Sequence, residues 1–105
     1  MPPILSEEVI GVMQVDNKVT VTGLLHHIRS DKKSGKYFLF SVKQETPWND
    51  GTIRKDFLVS RAFIPSIQDQ VKSLPEGTPL RVEGTLQSSL GSGDMYIYAQ
   101  EVQAL

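Results

Sequence analysis

The chain has 105 residues, 39% of them hydrophobic and 22% charged, which fits one small globular domain. It holds no cysteine, so disulfide frameworks, thiolate metal sites and cysteine nucleophiles are excluded. No apolar run approaches the roughly 20 residues of a membrane helix, and "MPPILSEEVIGVMQ" lacks the basic leader of a secretory signal, so a soluble cytoplasmic protein with no membrane partner is expected. The net charge of −1 hides an asymmetry: residues 29–61 carry eight bases against four acids, a surplus of +4, and the remainder carries three bases against eight acids. Such a distribution builds a basic face on a near-neutral molecule, although lysines on strand edges also serve to block aggregation.

Residues 1–16 read as an N-terminal arm or extra strand. Leu5, Val9 and Met13 have helical spacing behind a possible Ser6 cap, while "EVIGVMQV" serves equally as a strand. From Asn17 the chain reads as one domain to Leu105. "NKVTVTGLLHHIRS" alternates as a first strand, with Val19, Val21 and Gly23 on one face and Thr20, Thr22 and Leu24 on the other. "SDKKSGK" is a polar turn. "YFLFSVKQET" is a second strand with Phe38, Phe40 and Val42 on its core side. "PWNDG" is a turn holding Trp48, and "TIRKDFLVSRAF" is a third strand whose two faces are both partly apolar.

After Pro65 the period changes. Ile67, Val71 and Leu74 form the stripe of a short helix, with Ser66 as its expected cap and "PEG" as its stop. "TPLRVEGTL" is a fourth strand, "SSLGSGD" a hairpin loop and "MYIYAQEV" a fifth strand. Three strands, a helix and two strands in this order predict an all-β, five-stranded Greek-key barrel, the OB-fold, with its helix between strands three and four. Gly23 and Gly84 sit on the apolar faces of strands one and four, where a strand interior ordinarily loses stability to glycine. A barrel strand that must coil, or that another backbone approaches, accounts for both.

The segments "NKVTVTG", "FLFSVKQETPW", "KDFLVSRAF" and "LPEGTPLRVEGTL" are together similar, in order and spacing, to bacterial single-stranded DNA-binding proteins and the PriB-type primosomal proteins. The likeness runs over roughly Asn17 to Leu105. It implies sequence-independent binding of single-stranded DNA in replication, recombination or replication restart, with replication or recombination proteins as partners. Three features depart from the family pattern: Phe57 stands where tryptophan is usual, the loop between strands four and five has no aromatic residue, and the chain ends at "EVQAL" without an acidic-tipped tail. They point to a PriB-like, phage, plasmid or otherwise specialised member.

A sequence-tolerant binder of unpaired strands needs cations for phosphates and flat rings for bases. The stacking candidates are Trp48, Phe57, Phe63 and Tyr37, and the phosphate candidates are Arg29, Lys32, Lys33, Lys36, Lys43, Arg54, Lys55 and Arg61. Trp48 lies in a polar turn with no obvious core to fill; the competing reading folds it over the barrel mouth. Tyr96 and Tyr98 share a face of strand five and suit either a ligand or a subunit contact. Small barrels gain affinity by joining grooves, so a homodimer or tetramer is expected. His26 and His27 are adjacent in a strand, point to opposite faces and are expected to be surface or interface residues rather than metal ligands.

No metal-ligand spacing, nucleophile elbow or phosphate loop is present, and a pair of carboxylates such as Glu83 and Glu101 is a weak catalytic signal, so neither enzyme activity nor a cofactor is expected. Two other readings remain: a protein-interaction subunit or adaptor, and an RNA or tRNA-binding module, both on the same barrel.

Overall fold

The computed structural model describes residues 13–28 and 36–105. The expected arm therefore lies largely outside the described residues, as do the "SDKKSGK" turn up to Gly35 and the candidates Arg29, Lys32 and Lys33; residues 13–18 lead into the first strand without regular structure. The elements are β1 (Val19–His27), β2 (Phe38–Pro47), β3 (Ile53–Ala62), α1 (Pro65–Lys72), β4 (Pro79–Ser88) and β5 (Met95–Ala104). They close into a barrel in the order β1-β2-β3-β5-β4. All neighbours are antiparallel except β3 and β5, which pair in parallel at Ser60–Ile97 and Arg61–Tyr98. The five strands and the single helix between β3 and β4 are those expected from the sequence.

Alternation explains the core. Leu25, Phe40, Val42, Ala62, Leu80, Val82, Ile97, Ala99 and Val102 point inward and are buried, and Val71 of α1 joins them. Ile67 and Leu74 pack against the same cluster. At eight residues α1 is too short to hold itself in water, so its packing on the barrel sustains it. The helix starts earlier than expected: its N-cap is Ile64, not Ser66, and no side chain caps it. Pro65, with its fixed φ and missing N–H, opens the helix at the first position, and the Ile64 carbonyl accepts the Ile67 and Gln68 N–H groups at 3.0 Å.

β1 serves two partners. Val19–Leu24 pair with β4, and Leu24–His27 pair with β2. Gly23 lies at the exchange, where an added Cβ would collide with the Lys43 carbonyl oxygen and a Val42 methyl. Gly84 lies opposite both Val19 and Ala99, at a bulge where the β5 partner jumps from Glu101 to Ala99. A Cβ there would collide with the Tyr98 carbonyl oxygen. Bulges sharpen strand twist, so both glycines are required by close backbone approach where the barrel curves. At the start of β1, the Asn17 side-chain amide donates to the Leu86 carbonyl at 2.7 Å and its oxygen accepts the Leu86 N–H at 2.8 Å, continuing the β4 ladder with a side chain.

Gly84→Ala should therefore cost about 3 kcal/mol, the upper end for overpacking, and Gly23→Ala slightly less, since a methyl group is one of its obstacles. Urea denaturation reads both. A loss below 0.5 kcal/mol, the level of an ordinary surface change, at both positions would refute the close-approach account.

Candidate nucleic-acid interface

β2 and β3 remain paired from Phe38–Ala62 out to Pro47–Ile53. β1 leaves β2 at Lys43, and β5 touches β3 only at Ser60 and Arg61. The outer half of the hairpin therefore projects as a two-stranded ribbon. A shallow cleft opens where β1 departs, lined by Thr22, Gly23, Leu24 and Lys43–Thr46, and the Gln44 Nε2 group bridges it to the Thr22 carbonyl at 3.0 Å.

Two structures fix the ribbon tip. The Trp48 N–H donates to the Thr52 carbonyl at 2.8 Å, and Asp50 Oδ1 accepts the Thr52 hydroxyl at 2.6 Å and its N–H at 3.0 Å. The Thr52 hydroxyl, seconded by the Thr52 N–H, holds the Asp50 carboxyl below the usual carboxylate range. Trp48 is thereby presented on a rigid turn, 47% exposed, with the Arg54 guanidinium 4.6 Å over its ring. Arg54 Nε in turn donates to both Asp56 oxygens at 3.0 and 3.1 Å.

The sequence left the two faces of β3 unassigned. The structure turns Leu58, Ser60 and Ala62 inward, so Lys55, Phe57, Val59 and Arg61 point outward, followed by Phe63 just past the strand end. This face carries cation, ring, aliphatic, cation, ring in one line. Phe57 is 48% exposed, which shows that it is not a core residue. Lys43 lies beside it on β2, and one carboxylate, Glu45, faces both Lys43 (4.0 Å) and Lys55 (3.8 Å). That trio keeps a net charge of +1.

The far end of the face is a ring cluster. Phe63 stacks on Tyr98 at 5.2 Å and 12°, and meets Tyr37 at 5.0 Å. The Arg61 guanidinium lies between Tyr37 (4.7 Å) and Tyr96 (4.1 Å), a favourable place for its charge. Its Nη2 donates to Ser89 of the β4–β5 loop at 3.3 Å, and its buried Nε has no acceptor. Among the described residues no carboxylate pairs with it.

The expected residues thus fall into three groups. Lys43, Lys55 and Phe57 share the outer face of the ribbon. Tyr37, Arg61 and Phe63 cluster on the same side of β3, with Phe57 and Arg61 separated by about 13 Å at 3.3 Å per residue. Trp48 and Arg54 lie on the opposite side of the ribbon, so the rings are not all on one face, because alternation along β3 turns Arg54 away from Phe57. Lys36, exposed, adjoins Tyr37. Tyr96 and Tyr98 complete the ring cluster, which the sequence did not decide.

On β1, the Glu76 carboxylate clamps the strand end. Its Oε1 accepts the His27 N–H at 2.7 Å, and its Oε2 lies 2.8 Å from His26 Nδ1. The other histidine ring turns inward, with His27 Nε2 2.8 Å from the Leu74 carbonyl. Among the described residues no group of three or more His, Asp or Glu side chains is placed to hold a metal ion, and no helix is long and apolar enough to cross a membrane.

No protein-family model matches the chain. In sequence it is 34% identical over 97 residues to asparagine–tRNA ligases of two strains of Xylella fastidiosa, Temecula1 and 9a5c; the match takes in 90% of this chain, which spans about a fifth (19%) of the length of those relatives. In structure it is similar to the N-terminal domain of PriB protein from Thermoanaerobacter tencongensis, solved as a dimer (TM-score 0.57, 21% identity, 85% of this chain and 96% of that one). It is also similar to a small single-stranded DNA binding protein from Mycoplasma pneumoniae (0.63, 18%, 85% and 93%). A third match is Rim1, a mitochondrial single-stranded DNA binding protein from S. cerevisiae (0.65, 16%, 87% and 96%). The fold is therefore the OB-fold barrel of PriB and the single-stranded DNA-binding proteins, as the sequence resemblance implied.

The clamp has a pH signature. The His27 N–H, then the His26 side chain, hold the Glu76 carboxyl below its ordinary value. A carboxylate depressed in the folded state adds stability that is complete above its unfolded pKa and disappears as pH falls through the folded one. Stability measured by urea at successive pH values should therefore decline through the acidic carboxylate range, and Glu76→Gln should flatten part of that decline. An unchanged slope in the variant would show that the clamp contributes nothing.

Proposed function

We propose that this chain binds single-stranded DNA without reading its sequence, as a non-enzymatic, cytoplasmic protein of replication, recombination or replication restart that works as a homodimer or tetramer. The domain from Asn17 to Leu105 carries the activity. The reading rests above all on the outer face of β3, where Lys55, Phe57, Arg61 and Phe63 succeed one another with exposed or half-exposed side chains. Single-stranded DNA offers a matching sequence of phosphates and base faces. Phe57, Phe63 and Tyr37 are assigned to stacking, and Lys43, Lys55 and Arg61 to phosphates. Lys36 and the basic run Arg29, Lys32 and Lys33 are assigned to the same backbone. Trp48 and Arg54 take bases and phosphate from the other side of the ribbon. The fold shared with PriB and with two single-stranded DNA binding proteins supports the assignment.

The identity to asparagine–tRNA ligases favours one second reading, an RNA-binding module on the same face. The 2′-hydroxyl is the physical discriminator. Competition of poly-U against bound oligo-dT decides: displacement at equal or lower concentration than poly-dT selects the RNA reading.

For the DNA reading, adding oligo-dT at low salt should quench Trp48 fluorescence. Plotted against log salt concentration, log affinity should fall with a slope of about −2 if the three cations of the outer face alone meet phosphates and of about −6 if all eight assigned cations do. By anisotropy of cyanine-labelled oligo-dT, Phe57→Ala should weaken binding by about 1–3 kcal/mol, the worth of one stacked base. Gln103→Ala, outside the proposed face, should leave binding unchanged. Absence of both quenching and salt-dependent binding would overturn the proposal.

A further inference from the structure

His26 stands out because its surroundings suit a ligand better than a structural role. It lies on the outer face of β1, opposite Ser41 of β2, and its ring centroid is 5.1 Å from that of Phe57. The side chain is 41% exposed, so a ligand on Phe57 can reach it. Glu76 holds the ring by Nδ1. Among the described residues Nε2 has no partner. His27 shows the contrasting, structural case: its ring is turned toward Phe38 and bonded to the Leu74 carbonyl. Anchoring the strand needs only the bond from the His27 N–H to Glu76, so the second carboxylate oxygen is left to orient a ring that already sits beside the proposed platform.

We propose that His26 is a further nucleic-acid contact, continuing the Phe57 surface onto β1 and taking up a proton as a phosphate docks on its Nε2 side. The inference rests on the single-stranded DNA reading. The charged and titratable groups facing the ring are Glu76, from the segment between α1 and β4, and Lys43, one pleat along on β2; Ser41, Val59 and Phe57 are its uncharged neighbours on β2 and β3. With His26 neutral, the Glu76 carboxylate in contact with its ring carries a full negative charge, offset only by Lys43 one pleat away. Protonation cancels that charge and supplies a donor to the phosphate. Binding of a polyanion must then favour the protonated form, and by linkage affinity rises as pH falls. The chain has only two histidines, so few other groups can produce such a dependence.

The test measures the affinity for cyanine-labelled oligo-dT by anisotropy at pH 5.5 to 8.0 and constant ionic strength, for the full chain and for His26→Gln. The native chain should bind about three- to fivefold more tightly at the acid end, as one partly exposed charge contact allows, and the variant should show a flat profile. In the native protein, the His26 ring resonances in NMR should shift on saturation with oligo-dT while those of His27 move little, a readout that needs no variant. An equal pH profile in His26→Gln, or a His26 ring that does not respond to saturating oligo-dT, would overturn the inference and leave the DNA reading standing. No binding at any pH would instead remove the DNA reading, and this inference with it.

Discussion

Two backbone approaches too close for any side chain set the geometry of the molecule. At Gly84 the β4 strand bends onto the Tyr98 carbonyl, and at Gly23 the β1 strand comes against the Lys43 carbonyl. The first curls β4 around the barrel so that it can serve both β1 and β5. The second lets β1 change partner from β4 to β2 within one residue, Leu24, which belongs to both ladders. Without that exchange β1 would have to follow β2 along its whole length, and the barrel would stay open on the β4 side. With it, β2 and β3 lose their cover beyond Lys43 and extend alone. The exposed ribbon, with its cleft and outward line on β3, is a consequence of how the barrel closes.

The energetics of that face are governed by rings more than by charges. Exposed ion pairs contribute about 0–1 kcal/mol each, and the Lys43, Glu45 and Lys55 trio spends part of its charge internally. Stacking contributes about 1–3 kcal/mol per base. Arg61 joins the two terms. Held between Tyr37 and Tyr96, its guanidinium is already oriented and partly desolvated, so fixing it on a ligand requires less loss of side-chain freedom than fixing an extended lysine. The near-neutral total charge is compatible with the proposed polyanion ligand because the cations of this face sit among rings suited to stacking, while the acids of the chain lie mostly elsewhere.

The succession of strands, the faces of all strands but β3 and the helix position were legible because period-2 alternation and the single change to helical period are local signals. The two glycines were legible for the same reason, as violations of an otherwise regular apolar face. Other features depend on pairings far apart in sequence. The outward line on β3 could not be assigned because both of its faces carry apolar residues, and only closure against β2 and β5 decides which is the core. The ring cluster needs the short parallel contact of Arg61 with Tyr98, which no local pattern announces. The same limit hid the division between Trp48 and Phe57, since their sides depend on how the turn enters β3. The expected helix cap failed for a local reason, since Pro65 supplies the starting φ without help from Ser66.

The composition of the β3 face bears on what kind of recognition it can support. Reading a base sequence on a single strand requires fixed donors and acceptors aimed at base edges. The outward residues here are Lys55, Phe57, Val59, Arg61 and Phe63, which offer two cations, two rings and an aliphatic surface. Phosphates and the flat faces of bases are alike in every nucleotide, so such a face treats all sequences nearly equally. The nearby amide that could read an edge, Gln44, is already engaged with the Thr22 carbonyl across the cleft. On the proposed function, a platform of this kind would discriminate unpaired from paired strands, because stacked bases in a duplex cannot reach the rings, and would do so without preference for what the bases are.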